Sequence, residues 1–445
     1  MSNDSRVTVL TEGNPFALII RFAIPLILSS FFQQLYNFVD TAIVGRCLGV
    51  EALSAVGVTA SLYSLVLGFT MGSAVGFCIP LSQAVGAGKE EEVNPFFWNG
   101  LYLSSGISIV VSIFIMIFIE EILIFMKTPE ELFPMAAEYL KVIILGQFIT
   151  ILYNYFAGVI RALGDSKRPF YFLMISSVIN VVLDLLFIQV FHIGVQGAAA
   201  ATVISQAVSA LLCGWWLFAK MNVIRKEEQK PSFYHMKKMA LIGIPMGLEH
   251  SVTYVGAIVL QGAINTLGSI AVAAQICGEK IRRMLTLPFE GVGMAMATYT
   301  GQNYGAAKMD RVKQGIRSGL IIQICYCVIA WSVLFILKKP MVALLLGESS
   351  SLEAQGAIRY LTIITPLCVF HGCMMVFRNV LQGMGHGMSA MFSGAAEVAA
   401  RVGASLLAVS HHSFVMIALA NPFAWAAAMV YCMVLDIIYI KRHEG

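Results

Sequence analysis

The feature that most restricts the fold of this chain is the recurrence of long apolar runs. A membrane-spanning helix needs about 20 mainly apolar residues, and the 445-residue sequence holds about a dozen such runs. Only 12% of the residues are charged, against about 25% in a typical soluble domain. The sequence therefore predicts an all-α integral membrane protein with twelve transmembrane helices.

The two halves of the sequence repeat each other. Pro25 has its match in Pro245, and the stretch QAVGAGKEEEV from Gln83 matches QNYGAAKMDRV from Gln302. An even number of spans per half inserts both halves in the same direction, as in transporters whose repeats are related by an axis along the membrane normal. We therefore predict two pseudo-symmetric six-helix lobes with a parallel repeat.

The polar stretch near the middle of the sequence separates these lobes. We predict an N-lobe at residues 1–219, a cytoplasmic linker at residues 220–239 and a C-lobe at residues 240–445. Lys and Arg are concentrated in the loops on the N-terminal side of the membrane, and such loops are usually cytoplasmic. We therefore expect a multi-pass protein of the plasma (cytoplasmic) membrane with both termini cytoplasmic, working as a monomer.

The sequence lacks the motifs that are typical of several other classes of protein. No GxxxxGK[ST] motif is present, which favours an ion gradient over ATP as the energy source. The chain also lacks HExxH, GxSxG and a cluster of His or Cys at metal-ligand spacing, so an intramembrane enzyme is disfavoured. The sequence has no stripe of basic residues, so nucleic acid is not expected as a partner. No cofactor is expected beyond a coupling ion, H⁺ or Na⁺.

Two predicted spans of the first half contain carboxylates. Ionisable residues inside a span are costly and usually functional. In the first span Gln33, Asn37 and Asp40 share one helix face, and in the fifth span Asn180 precedes Asp184 by one turn. Two nearby carboxylates cannot both stay ionised cheaply, so such a pair can load and release a proton. Helix–helix hydrogen bonding is the alternative role.

Other polar residues of the first half extend this pattern. Thr202 in the sixth span adds a hydroxyl, and an all-oxygen site of this kind suits a hard cation such as Na⁺ as well as a proton. Further candidates to line a substrate cavity are Tyr36, Gln147, Asn154 and Gln206, together with Gln33 and Asn37.

Proline and charged residues elsewhere give weaker indications. Pro25 lies inside the first span, where proline removes a helix hydrogen bond and permits a kink, so it is a candidate hinge or a static bend. In the second half Glu249 lies in the seventh span, and Glu397 and Arg401 have the i, i+4 spacing of a buried ion pair with a structural role.

Motifs along most of the chain resemble the multidrug and toxic compound extrusion (MATE) family, and are most similar to its DinF-like branch. They are IPLILSSFFQQLYNFVDTAIVGRCLG in the first span, QAVGAGK, GVIRALGDSKRP, NVVLD, GAAAAT and QNYGAAKMDRV. The resemblance implies a cation site at Asp40, Asn180, Asp184 and Thr202, and a first helix that bends at Pro25. A C-lobe cation site like that of NorM-type members is not expected, because the tenth span has no Asp or Glu in its core.

The resemblance also implies export of organic, often cationic and aromatic, drug-like small molecules in antiport with H⁺ or Na⁺. We therefore predict a secondary active multidrug efflux transporter in the lipid bilayer, operating by alternating access. The alternative is a flippase of lipid-linked oligosaccharide or another amphiphile. A flippase favours a basic cavity, whereas the clear intramembrane charges of the first half are acidic.

Overall fold

The computed structural model describes residues 9–220, 224 and 230–444, and all secondary structure within them is helical. In the first half the helices are α1 (Pro15–Cys47), α2 (Val50–Gly86), α3 (Glu90–Ile117), α4 (Ile119–Phe125), α5 (Phe133–Leu145), α6 (Gln147–Ala162), α7 (Lys167–Leu185), a π-helical turn (Leu186–Val190) and α8 (Val195–Lys220). In the second half they are α9 (Phe233–Asn265), α10 (Ser269–Gly305), α11 (Met309–Leu346), α12 (Leu352–Gly383), α13 (Gly387–Ser410) and α14 (Phe414–Glu444).

The repeat seen in the sequence extends to helix length and backbone conformation. Helices α1 and α9 both contain 33 residues, and α2 and α10 both contain 37. The residue before α2 is Gly49 and the residue before α10 is Gly268, and both have a φ of 90°. Glycine adopts this left-handed conformation without the steric cost that other residues meet, so both halves use glycine to turn the chain sharply between their first two helices.

Nine helices of the described residues are long and apolar enough to cross a membrane, and the number is ten if α5 and α6, bent by 43° relative to each other, are counted as one span. Helices α9 and α10 are as long as their counterparts α1 and α2, but they carry charged residues such as Glu249 and Arg282. These charges lower the hydropathy of helices that the repeat assigns to the membrane. Residues 221–223 and 225–229 of the predicted linker lie outside the described residues, and α9 begins at Phe233, within the stretch predicted as linker.

The chain forms two compact units that differ from the predicted halves by an exchange of segments. The first unit contains Leu28–Gly247, and the second contains Leu10–Ile27 and the chain from Leu248 onwards. Helix α1 therefore changes unit shortly after Pro25, and α9 changes unit shortly after Pro245. In both repeats, a proline therefore lies two or three residues before the point at which the first helix of the repeat changes from one unit to the other.

Each unit has its own apolar core. Phe77, Phe97 and Tyr155 are among the largest fully buried side chains of the first unit, and Phe289 and Tyr360 have this role in the second. Burial of large aromatic side chains supplies much of the packing of a helical core. The helices that carry the polar residues described next therefore pack through apolar cores.

Candidate functional site

The two carboxylates predicted to act together are neighbours in the first unit. Asp40 lies on α1 and is half-buried, whereas Asp184 lies on α7 and is fully buried. Their carboxyl groups interact with each other. Among the described residues, neither oxygen of Asp184 nor Oδ1 of Asp40 has a hydrogen-bond partner of standard geometry. Buried carboxylates without partners are costly, so this pair is suited to bind a cation or a proton.

The local structure around Asp184 is irregular. The α-helix ends at Leu185 and continues as the π-helical turn Leu186–Val190. Single π-helical turns interrupt α-helices frequently at functional sites. Asn180, one turn before Asp184, is 1% exposed, and both polar atoms of its amide lack a partner within the described part of the chain. The amide of Asn180 and the carboxylate of Asp184 are therefore both available to a ligand.

The hydroxyl of Thr202 is the fourth predicted ligand and lies on α8, which packs against α7. Its Oγ1 donates to the carbonyl oxygen of Ala198 at 3.1 Å, so its lone pairs remain as acceptors. Ser176 on α7 donates to the carbonyl oxygen of Ser205 on α8 at 2.8 Å and ties the two helices together. The chain thus supplies carboxylate, amide and hydroxyl oxygens from three helices of one unit.

Several predicted cavity residues join a polar network beside the acidic pair. The hydroxyl of Tyr36 interacts with the side chains of Gln33 and Gln206. Thr150 donates in turn to Oε1 of Gln206, and Nδ2 of Asn154 donates to the carbonyl oxygen of Thr150 at 2.9 Å. These residues come from α1, α6 and α8, so the network connects helices that are distant in sequence.

The remaining two cavity candidates lie outside this network. Gln147 is fully buried, and its Nε2 donates to Oγ1 of Thr70 at 2.7 Å. Asn37 has an exposed side chain, although it shares the polar face of Asp40 on α1. Gln147 starts α6 directly after Gly146, where a Cβ atom would overlap the side chain of Val203. Glycine at this position allows α8 to approach the bend between α5 and α6.

Sequence reasoning missed three residues of the site. Thr150 lies between Gln147 and Asn154 on the same helix face, so helical spacing was a signal that could have found it. Tyr63 interacts with Gln206, and Tyr139 lies in the electrostatic surroundings of both carboxylates. These two tyrosines are on α2 and α5, and no spacing on their own helices relates them to the acidic pair.

The second unit contains a separate buried network of alternating charges. Arg378 contacts Glu249 at 3.0 Å and also pairs with Glu397, and Glu397 contacts Arg401 at 3.3 Å, as the i, i+4 spacing predicted. All four side chains are at most 7% exposed. Gln382 donates to Glu249 at 3.0 Å. With two acids and two bases the network is neutral, unlike the unpaired carboxylates of the first unit.

Comparisons with known proteins agree with this architecture. The profile of the MatE family matches residues 25–186 and 245–404. The probable multidrug resistance protein YpnP of Bacillus subtilis (strain 168) is 29% identical over 375 residues, covering 84% of each chain. The probable multidrug resistance protein YoeA of the same strain is 28% identical over 351 residues, covering 77% of this chain and 76% of its relative.

The fold also matches a solved structure over its full length. An outward-facing multidrug resistance MATE family transporter of the MOP superfamily aligns with a TM-score of 0.92 and 23% identity, covering 100% of this chain and 99% of that one. The prediction of an all-α, twelve-helix membrane protein is therefore confirmed, and the assignment to the DinF-like branch stays a prediction. Proteins of the matched family are multi-pass, non-enzymatic membrane transporters. Since the family profile matches most of the sequence, the chain belongs to the MatE family, the multidrug and toxic compound extrusion transporters.

Proposed function

We propose that this transporter exports organic, often cationic and aromatic compounds in antiport with H⁺ or Na⁺. The observation that carries the proposal is the pair of neighbouring carboxylates, Asp40 and Asp184, with buried oxygens that lack partners among the described residues. The names of the relatives YpnP and YoeA, both probable multidrug resistance proteins, support the same function.

The coupling cation would bind at Asp40, Asn180, Asp184 and Thr202. A proton on either carboxyl group, or a Na⁺ ion between the two, would offset the cost of burying two negative charges. The amide oxygen of Asn180 and the hydroxyl of Thr202 would complete an oxygen-rich shell of the kind that hard cations prefer. Binding and release of this cation would then bias the alternating access of the transporter.

The substrate would bind beside the same acidic pair. Tyr36 and Tyr139 interact electrostatically with the acidic pair, Tyr63 interacts with Tyr36 and with Gln206, and Gln33 and Gln206 supply hydrogen-bonding groups. Aromatic faces attract organic cations, and a carboxylate left unprotonated adds a direct charge attraction. Cation entry would remove that attraction and release the substrate, which is the exchange that an antiporter requires.

We further propose that the protein lies in the plasma membrane as a monomer with both termini cytoplasmic. The concentration of Lys and Arg in loops on the side of the N-terminus supports this orientation. Labelling of Cys47, the exposed cysteine at the end of α1, from outside intact cells would test it. Labelling only after permeabilisation would contradict the orientation.

The central experiment is transport of ethidium in proteoliposomes, with an H⁺ or a Na⁺ gradient imposed separately. Wild type, Asp40→Asn and Asp184→Asn would be compared with Asp310→Asn, whose carboxylate is 89% exposed on α11. We expect one gradient to drive transport by the wild type and the Asp310 variant, and neither gradient to drive the other two. Gradient-driven transport by Asp40→Asn would refute the antiport site. If neither gradient moves ethidium in the wild type, the flippase alternative is favoured.

A further inference from the structure

The second unit contains a buried aspartate that belongs to none of the sites described above. Asp436 lies on α14, within the apolar span Phe414–His443, and its side chain is 1% exposed. Neither oxygen of its carboxyl group has a hydrogen-bond partner among the described residues. Like Asp184 in the first unit, Asp436 is thus a buried carboxyl group that nothing in the described chain satisfies.

The surroundings of Asp436 are mainly apolar. Cys432 and Ile440 lie one turn before and one turn after it on the same face of α14, and both are buried. Both belong to an apolar core of the second unit that also includes Met384 and Ala390. An ionised carboxylate without partners is far more costly in such surroundings than a neutral carboxylic acid.

The nearest buried charges are already balanced without Asp436. The titratable side chain that interacts electrostatically with it is Cys432, which also hydrogen-bonds to Ser393. Ser393 accepts a hydrogen bond of 2.9 Å from Nε of Arg378, and Arg378 is neutralised within the charge network that it forms with Glu249. An ionised Asp436 would therefore add an unpaired negative charge to the interior of the second unit, which is strongly unfavourable.

The groups around Asp436 select a proton over a metal cation. A hard cation is held by several oxygen ligands, and the side chains of Cys432 and Ile440 contain no oxygen. The hydroxyl of Tyr439, three residues after Asp436, is paired with the hydroxyl of Ser389 at 3.0 Å. A proton needs one carboxyl oxygen and no further ligand, so it fits this position.

We propose that Asp436 is a proton-binding site of the second unit, whose carboxyl group holds one proton in the folded protein at neutral pH. An aspartate in an unfolded chain is ionised at neutral pH, so unfolding releases this proton. The proton is resident and is not the coupling ion of Asp40 and Asp184, which lie in the first unit. The proposal does not rest on the antiport, and its tests measure unfolding and protonation, not transport.

The first test is the pH dependence of unfolding of the full-length protein in detergent, between about pH 6 and about pH 8. One proton released on unfolding raises the unfolding equilibrium constant about tenfold for each pH unit. We expect Asp436→Asn to lose this contribution, so its unfolding constant should rise about tenfold less per pH unit than that of the wild type. Asp310→Asn is the control, because the Asp310 side chain is 89% exposed and its carboxylate is ionised in both states. A structural effect of the substitution would change stability but not its slope with pH, and equal slopes would overturn the proposal.

Infrared difference spectroscopy at neutral pH reads the proton directly. The variant is Asp436→Leu, because leucine has the branched shape of aspartate and suits the apolar core even if the asparagine variant fails to fold. We expect the wild type to show the carbonyl band of a protonated carboxylic acid that this variant lacks, with a shift in D₂O. Asp310→Asn should instead lose a carboxylate band. Loss of a carboxylate band in Asp436→Leu would show that Asp436 is ionised in the folded protein and would refute the site.

Discussion

Arg378 on α12 contacts Glu249 on α9 at 3.0 Å and joins it to Glu397 in the interior of the second unit. The seventh and tenth spans are thus tied by an ion pair, at helices where NorM-type members were expected to hold a cation. The charge that a cation would supply is already present in the guanidinium of Arg378. This contact gives a physical reason to expect the proposed coupling site in the first unit and not in the second.

Loss of Glu249 should destabilise the protein strongly. Glu249→Gln leaves the network with one more positive than negative charge, and breaking a buried pair in this way costs about 3–5 kcal/mol. Glu249→Gln combined with Arg378→Met restores neutrality and should recover much of that loss. Unfolding in detergent would be measured in a double-mutant cycle.

The control for this cycle is an exposed ion pair. Lys313 and Asp310 lie 3.9 Å apart on α11, and their side chains are 39% and 89% exposed. Lys313→Gln should therefore change the free energy of unfolding by less than about 1 kcal/mol. If the double variant at Glu249 and Arg378 is no more stable than Glu249→Gln alone, the network does not stabilise the unit through charge balance.

The sequence was informative wherever the relevant contacts repeat along one helix. Asp40 with Gln33, and Asp184 with Asn180, could be placed on common faces because three- and four-residue spacing decides which side chains share a face. The two spans that carry the acidic pair were identified because each is an apolar run that contains a carboxylate, and carboxylates inside membrane spans are rare.

Contacts between helices that are distant in the sequence could not be predicted from spacing along one helix. Glu397 and Arg401 could be paired from spacing, but Glu249 is joined to Arg378 through packing that no single-sequence period encodes. Tyr139 lies in the electrostatic surroundings of the acidic pair although α5 is distant in sequence from α1 and α7. The 43° bend between α5 and α6 is likewise a break that the uninterrupted apolar pattern did not reveal.

The bend at Gly146 offers a direct test of packing. A Cβ atom there would overlap the side chain of Val203, so Gly146→Ala should displace α8 and destabilise the protein by about 1–3 kcal/mol, the usual cost of overpacking. Adding Val203→Ala should restore most of the loss. Gly106→Ala is the control, because its Cβ meets nothing within 4 Å, and helix propensity predicts a gain of about 0.5–1 kcal/mol. Equal thermal unfolding of Gly146→Ala and wild type would contradict this account.

Pro25 and Pro245 form a matched pair for testing the hinge hypothesis. Each lies just before the residue at which its helix changes unit, but only the helix of Pro25 carries Asp40. Pro25→Ala removes the steric conflict with the preceding turn and stiffens α1. We expect gradient-driven ethidium transport to fall about tenfold, equivalent to about 1.36 kcal/mol in the barrier, with thermal stability retained. The same change at Pro245 should have a smaller effect, and equal losses in both variants would argue against a role specific to Asp40.

The segment before α1 is held by residues 302–312, which run from the last turn of α10 into the first turn of α11. The backbone N–H of Leu10 donates to Gln302 at 2.7 Å, and Lys308 donates to the carbonyl oxygen of Thr11 at 3.1 Å. Arg311 donates to the carbonyl oxygens of Gly13 at 3.0 Å and Leu10 at 3.4 Å. Within the second unit, the QNYGAAKMDRV stretch therefore anchors the residues just before α1, the helix that carries Pro25 and Asp40.

Arg311→Met should release this segment without unfolding the unit. Loss of the two hydrogen bonds to backbone carbonyls should speed amide hydrogen exchange of Leu10 by about tenfold, which matches about 1.4 kcal/mol of local opening. Exchange in the buried part of α12 should stay unchanged, because that helix does not depend on the segment for its hydrogen bonds. Arg317→Met, an exposed arginine on the same helix, is the control and should leave Leu10 protected. Faster exchange throughout the second unit would show instead that Arg311 supports global stability, and an unchanged rate at Leu10 would show that Gln302 and Lys308 hold the segment without it.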